Sequence, residues 1–158
     1  PELVATLVLV DTYAGWAGSL PAEEVQARLD GLRQALAAPA EEFDPTLPGL
    51  LGPDPPDAAL ALLEEMAADV RPASMRTQLS LMAETDLSDV LPAIDVPTLL
   101  VWGEHDGRSP LSVAREFEQA IPDASLVVIP EAGHVSNLEQ PEQFNAAVRG
   151  LCRARSPH

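Results

Sequence analysis

The sequence contains no lysine, and that absence removes two kinds of chemistry. Without a lysine amine the chain forms no Schiff base with a carbonyl compound, and it cannot supply the lysine of a phosphate-binding P-loop. Positive charge is scarce altogether: nine arginines stand against 25 aspartates and glutamates, a formal net charge of −16 over 158 residues. So acidic a surface repels phosphate backbones and anionic lipid, so neither nucleic acid nor a membrane is an expected partner. The one cysteine, Cys152, excludes an intrachain disulfide and reads as a buried apolar thiol on the last helix. No apolar run reaches membrane-spanning length, and no charged-then-apolar leader opens the chain. Aromatic residues make up only 4%, which leaves core packing to aliphatic side chains and alanine. The first residue is Pro1 and not Met, so the native amino terminus is expected to be missing, and no compartment follows.

What is present fits one globular core. Apolar residues amount to 46%, and the sixteen prolines cluster at 39–56 and just before strands and helices, where they punctuate structure. Leu3 to Val10 is a continuous β-rich apolar run, the pattern of a parallel strand buried on both faces. Leu20 to Ala38 repeats Val25, Leu29, Leu32 and Leu36 at helical spacing, with Pro21, Glu23 and Glu24 in its first turn. A proline-rich loop at 39–56 follows. Helices are then expected at Asp57–Ala68 and at Pro72–Glu84, the latter with Met75, Leu79 and Met82 on one side, and a short turn at Leu87–Leu91. The chain closes with a helix over Gln140–Arg153 that buries Phe144, Val148 and Leu151, and residues 156–158 fray.

The organising stretch runs from Val96 to His134. A strand at Pro97–Trp102 enters the loop Gly103-Glu104-His105-Asp106-Gly107-Arg108-Ser109-Pro110. A strand at Ser125–Ile129 enters Pro130-Glu131-Ala132-Gly133-His134. A helical pattern (Val113, Ala114, Phe117, Ile121) lies between them. A right-handed crossover makes the two strands parallel and sets both loops on the carboxyl edge of the sheet, where open α/β sheets hold ligands. A carboxylate and an imidazole far apart in sequence are thereby able to meet.

V-P-T-L-L-V-W-G-E-H-D, followed by V-V-I-P-E-A-G-H-V-S-N-L-E-Q-P-E, resembles the carboxyl-terminal half of an α/β-hydrolase-fold protein. Pro1 to Asp11 is similar to the segment that forms the family's sixth strand. The resemblance implies an α/β fold cut to three parallel strands (about 3–10, 97–102 and 125–129). Residues 1–15 and 92–155 would be core, with a helical cap insertion at 16–91. It also implies the catalytic acid at Asp106, after the seventh strand, and the catalytic histidine at His134, after the eighth. The family's chain order places a Ser, Asp or Cys nucleophile upstream of both. No G-x-S-x-G occurs here, so the expectation is a fragment whose nucleophile and oxyanion hole lie in a missing amino-terminal half.

The activity so implied is covalent hydrolysis of an ester, lactone or similar small carbonyl substrate, with no cofactor and no metal. A haloalkane-dehalogenase-like enzyme with an aspartate nucleophile is the alternative, as is a non-catalytic ligand-binding protein on the same fold. Three other acids compete to hold His134. Glu104 shares the acid loop, Asp11 ends the first strand where some relatives keep their acid, and Glu139 reads as a helix-dipole residue. His105 invites a metal reading with Glu104 and His134, which the absence of HExxH or Cys/His spacing disfavours. Tyr13 and Trp16 are candidate substrate contacts beneath the cap, as are Met66, Met75 and Met82, although such residues more often serve packing. The cut edge of the first strand is an expected site of dimerisation or aggregation.

Overall fold

The computed structural model describes residues 3–37 and 49–154. Three strands, β1 (Leu7–Val10), β2 (Thr98–Gly103) and β3 (Ala124–Ile129), form a parallel sheet in that order. β2 is buried along its whole length, as its largely apolar sequence requires of a strand flanked on both sides. The register sets Val10 against Val101 and Gly103 against Ile129, so the carboxyl ends of all three strands share one edge.

Alternate side chains of a strand point to opposite faces, and each face has its own helix. On one face Leu99, Val101, Ile129 and Ala132 form a buried cluster. Val8, Val10 and Val127 pack on it with Phe144, Ala147, Val148 and Leu151 of α6 (Pro141–Ala154). On the other, α4 (Leu111–Ala120), the crossover from β2 to β3, buries Val113, Ala114 and Phe117. The Phe117 ring meets Trp102 edge-on with centroids 5.9 Å apart. Burial of one such ring contributes roughly 1.5–3 kcal/mol.

Several boundaries differ from the sequence reading. β1 begins at Leu7 rather than Leu3, because its partner strand starts at Thr98 and no strand among the described residues pairs with the residues before it; Leu3 is fully exposed. Cys152 is exposed rather than buried: it lies one step past the apolar stripe of α6. A short helix, α5 (Ser136–Glu139), was not expected, and the 3₁₀ turn at Ser88–Ala93 runs through Pro92. Much of the 39–56 loop and the 156–158 tail lie outside the described residues.

The chain divides into two compact units. The first comprises the described residues of Pro1–Thr12, Pro48–Ala59 and Val90–His158 and contains the sheet. The described residues 49–59 thus group with the sheet. The reason is local: Leu50 O accepts the His134 N–H, and Gly52 N–H donates to Glu139.

The second unit, Tyr13–Leu47 and Leu60–Asp89, holds α1 (Ala22–Ala37), α3 (Pro72–Glu84) and most of α2 (Asp57–Ala68). Trp16 is buried there and donates its backbone N–H to Met82 O at 2.8 Å. Arg28 lies over the Tyr13 and Trp16 rings, 5.7 and 5.6 Å from their centroids, and is anchored by Glu24 at 2.6 Å.

Candidate active site at the carboxyl edge of the sheet

Asp106 lies three residues past the end of β2, and its carboxylate is fully engaged. Oδ1 accepts the backbone N–H groups of Arg108 and Ser109, each at 2.8 Å, closing a turn of the kind aspartate favours. Oδ2 stands 2.9 Å from His134 Nδ1, with Oδ1 at 3.1 Å from the same nitrogen. The Asp106 side chain has no solvent exposure, and that of His134 retains 23%. The acid loop is pinned from two sides. Trp102 Nε1–H donates to Ser109 O at 2.9 Å, and Ser109 Oγ–H donates to Thr12 O at 2.7 Å.

The histidine loop leaves β3 through Glu131, whose φ of 58° is left-handed. Backbone bonds then lace it to the acid loop: Glu104 N–H donates to Ile129 O and His105 N–H to Ala132 O. The two loops run so close that a Cβ on Gly103 would collide with the carbonyl oxygens of Gly133 and Ala132. Glycine at 103 is therefore a requirement of packing.

A carboxylate that accepts at Nδ1 favours the tautomer with its proton on that nitrogen. The lone pair then sits on Nε2, which makes no hydrogen bond among the described residues. Such a ring is able to take a proton from a neighbouring hydroxyl, and the buried carboxylate stabilises the imidazolium that results.

The competing acids have other partners. Asp11 is buried, and its φ of 43° turns the chain sharply at the end of β1. Its Oδ1 accepts Gly103 N–H at 2.8 Å; its Oδ2 accepts Ser136 Oγ–H at 2.6 Å and Ser136 N–H at 3.3 Å. It makes no hydrogen bond to His134 among the described residues. Burial pushes its carboxyl up to about 6; the bonds from Ser136 and Gly103 oppose the rise and the nearby Asp106 charge adds to it.

Glu104 is exposed and bonds to Glu131 N–H at 3.3 Å. Glu139, expected to act as a helix-dipole acid, is instead buried, accepting from Gly133 N–H at 2.8 Å and Gly52 N–H at 2.7 Å. His105 does not join His134. Its Nε2 faces Glu104 and Glu131 at 3.9 and 3.7 Å, an exposed group of three possible ligands within 4.8 Å of one another.

Tyr13 and Trp16 belong to the second unit, where Arg28 covers both rings and donates to the Tyr13 hydroxyl at 2.8 Å. Ser109 and Ser136, both wholly buried, went unremarked in the sequence. A small polar residue gives no signal until the fold supplies its partner.

Residues 2–147 match the model of a family described as the alpha/beta hydrolase family. A pimeloyl-(acyl-carrier protein) methyl ester esterase of Vibrio vulnificus is 34% identical over 73 residues, covering 46% of this chain and 29% of that protein. The esterase of the same name from Chromobacterium violaceum is 27% identical over 156 residues, 94% of this chain and 60% of that one. Among solved structures, a thermophilic esterase from Thermogutta terrifontis superposes with a TM-score of 0.73 at 27% identity, covering 96% of this chain and 57% of its own. The chain spans 60% or less of the length of each of these proteins.

Proposed function

The chain belongs to the alpha/beta hydrolase family, and from that premise we propose that His134 and Asp106 are base and acid of a covalent hydrolase acting on an ester, lactone or similar small carbonyl compound. The observation that carries the reading is the 2.9 Å approach of His134 Nδ1 to the unexposed Asp106 carboxylate. The esterases similar to this chain support the substrate class. The nucleophile and the oxyanion hole come from outside these 158 residues, a reading supported by the absence of any G-x-S-x-G and by the partial coverage of each relative.

In the proposed reaction the nucleophile's oxygen attacks the carbonyl carbon while His134 Nε2 takes its proton and the carbonyl electron pair moves onto oxygen. Asp106 holds Nδ1–H and balances the imidazolium charge. Collapse of the tetrahedral intermediate breaks the bond to the leaving oxygen, which recovers the proton from Nε2. Water repeats the sequence on the acyl-enzyme and releases the acid.

The second unit, inserted in sequence between β1 and β2, corresponds in chain position to the cap insertion that the family resemblance implies. Tyr13 and Trp16 of that unit enter only as candidate substrate contacts.

Two preparations test the reading: the 158-residue chain alone, and the same chain extended upstream in its own reading frame. With 4-nitrophenyl acetate the first gives no turnover above background. The second turns over, and His134→Ala abolishes it. Hydrolysis by the chain alone that His134→Ala removes would place the nucleophile within these residues and overturn that part of the proposal.

A further inference from the structure

Glu139 and the segment 49–52 have no part in the chemistry above, yet they meet at the histidine loop. Glu139 is 2% exposed, and both its carboxylate oxygens are used. Oε1 accepts the N–H of Gly133, the residue before His134, at 2.8 Å; Oε2 accepts the N–H of Gly52 at 2.7 Å. A third bond closes the circuit, from His134 N–H to Leu50 O at 2.9 Å. The two backbones pack so closely that a Cβ on Gly133 would lie 2.5 Å from Gly52 N and from Leu51 C. The same segment also reaches the acid loop, where a Cβ on Gly49 would lie 3.3 Å from Gly107 C. Residues 49–52 thus bridge the loop that carries Asp106 and the loop that carries His134.

A buried carboxylate is costly, and a leucine or methionine would fill the space without that cost. Either would strand the buried N–H of Gly133 and the half-buried N–H of Gly52, each of which needs an acceptor. The carboxylate meets both needs, and it does so at the residue adjoining His134. The geometry points to Glu139 as a positioning residue: clamped between Gly133 N–H and Gly52 N–H, it sets where the His134 ring stands against Asp106, with residues 49–52 as the brace. Only the kinetic consequence of this role rests on the reading of His134 as a catalytic base.

Glu139→Gln keeps one acceptor oxygen and turns an NH₂ toward the second N–H. In the 158-residue chain with ¹⁵N-labelled histidine, His134→Asn identifies the His134 signals among the three histidines. Glu139→Gln then shifts or abolishes the His134 Nδ1–H resonance and moves the pH midpoint of that ring. Ile121→Val, a core change, lowers the melting temperature and leaves both unmoved. A Glu139→Gln chain that melts lower with the His134 resonance and midpoint intact would reduce Glu139 to a structural role and overturn the proposal.

Should that variant fail to fold, amide exchange in the unmodified chain decides. The Gly52, Gly133 and His134 amides exchange together as one protected group, whereas rapid exchange at Gly52 with protection at the other two refutes the clamp. In the upstream-extended protein, Glu139→Gln lowers kcat roughly 10- to 100-fold with little change in KM. An unchanged kcat there contradicts the positioning role. If that protein shows no His134-dependent turnover, the hydrolase reading fails and the resonance and exchange results still judge the clamp.

Discussion

Asp106 Oδ2 lies 2.9 Å from His134 Nδ1 across 28 residues of sequence, and the register of β2 and β3 is the cause. Gly103 pairs with Ile129 at the carboxyl end of both strands, so loops that leave adjacent strand ends converge on the same edge. Replacement of the acid by its amide tests what this contact does. Asp106→Asn retains shape and one acceptor oxygen but loses the charge that balances an imidazolium, and it no longer enforces the tautomer. In the upstream-extended protein, turnover of an activated ester is expected to fall on the order of 10⁴-fold, with far less effect on KM. Steady-state kinetics near neutral pH make the comparison.

Asp11 gives the pH dependence of stability its clearest single contribution. Its carboxyl is raised from 3.8 to about 6, chiefly by burial, so the folded state binds a proton that the unfolded state releases earlier. The stability this adds is fully present below about 3.8 and is lost as pH rises through about 6. A shift of this size corresponds to roughly 3 kcal/mol. Asp11→Asn removes the titration, so the variant should gain on the parent by a comparable amount between pH 4 and pH 7. Urea unfolding of both proteins at the two pH values measures the difference, in which the other titrating groups cancel. A constant difference would mean that Asp11 does not titrate with folding.

How far the site was legible depended on whether a residue's role is local. The strand–helix–strand unit and its two loops could be read because strand periodicity, turn residues and the crossover rule act over short distances. That the Asp106 carboxylate and the His134 imidazole could meet followed from the strands they end, whereas the roles of acid and base were implied by the family resemblance. The helices Asp57–Ala68 and Pro72–Glu84 were legible from their apolar spacing and flanking prolines and have those bounds in the structure. Glu139 was misread because the first turn of a helix is an ordinary place for an acid, and its partners Gly52 and Gly133 carry no side chain to announce a contact. Residues 50–52 were illegible for the same reason: their part is played by Leu50 O and Gly52 N–H, and backbone groups leave no trace in a sequence. β1 was overextended because an apolar run shows what can be buried, whereas the length of a strand is set by its partner.

The glycines separate into two kinds, and substitution should distinguish them. A Cβ at Gly103 would strike the backbone carbonyls of Gly133 and Ala132, which cannot rotate aside. Gly103→Ala should therefore destabilise by at least about 1–3 kcal/mol. Gly31 in α1 and Gly150 in α6 have open space where a Cβ would go. Alanine at either helix position should stabilise by roughly 0.5–1 kcal/mol, because it reduces the backbone freedom of the unfolded chain. Melting curves of the three single variants check the opposite signs. A neutral Gly103→Ala would show that the two loops can separate without cost, and would remove the packing account of the site.

The outer side of β1 is expected to govern self-association. Leu7 N–H donates to Pro97 O and Asp11 N–H to Val101 O, each at 3.0 Å, so residues 7, 9 and 11 face β2. By the twofold alternation of a strand, the N–H and C=O groups of Val8 and Val10 point the other way, where no strand pairs with them among the described residues. From Leu3 to Val10 there is no proline, no charge and no glycine to blunt such an edge. The −16 charge opposes association at low salt, and screening relaxes that opposition. Sedimentation velocity of the 158-residue chain at micromolar concentration should show a dimer or larger species that grows with protein and salt. Val8→Pro removes an outward N–H without breaking the ladder to β2, a position at which an edge strand tolerates proline. It should shift the chain toward monomer at some cost in stability from lost packing on the Leu99–Val101 cluster. A parent that melts sharply as a monomer throughout, or a Val8→Pro variant that associates as strongly, would show that this edge does not seek a partner.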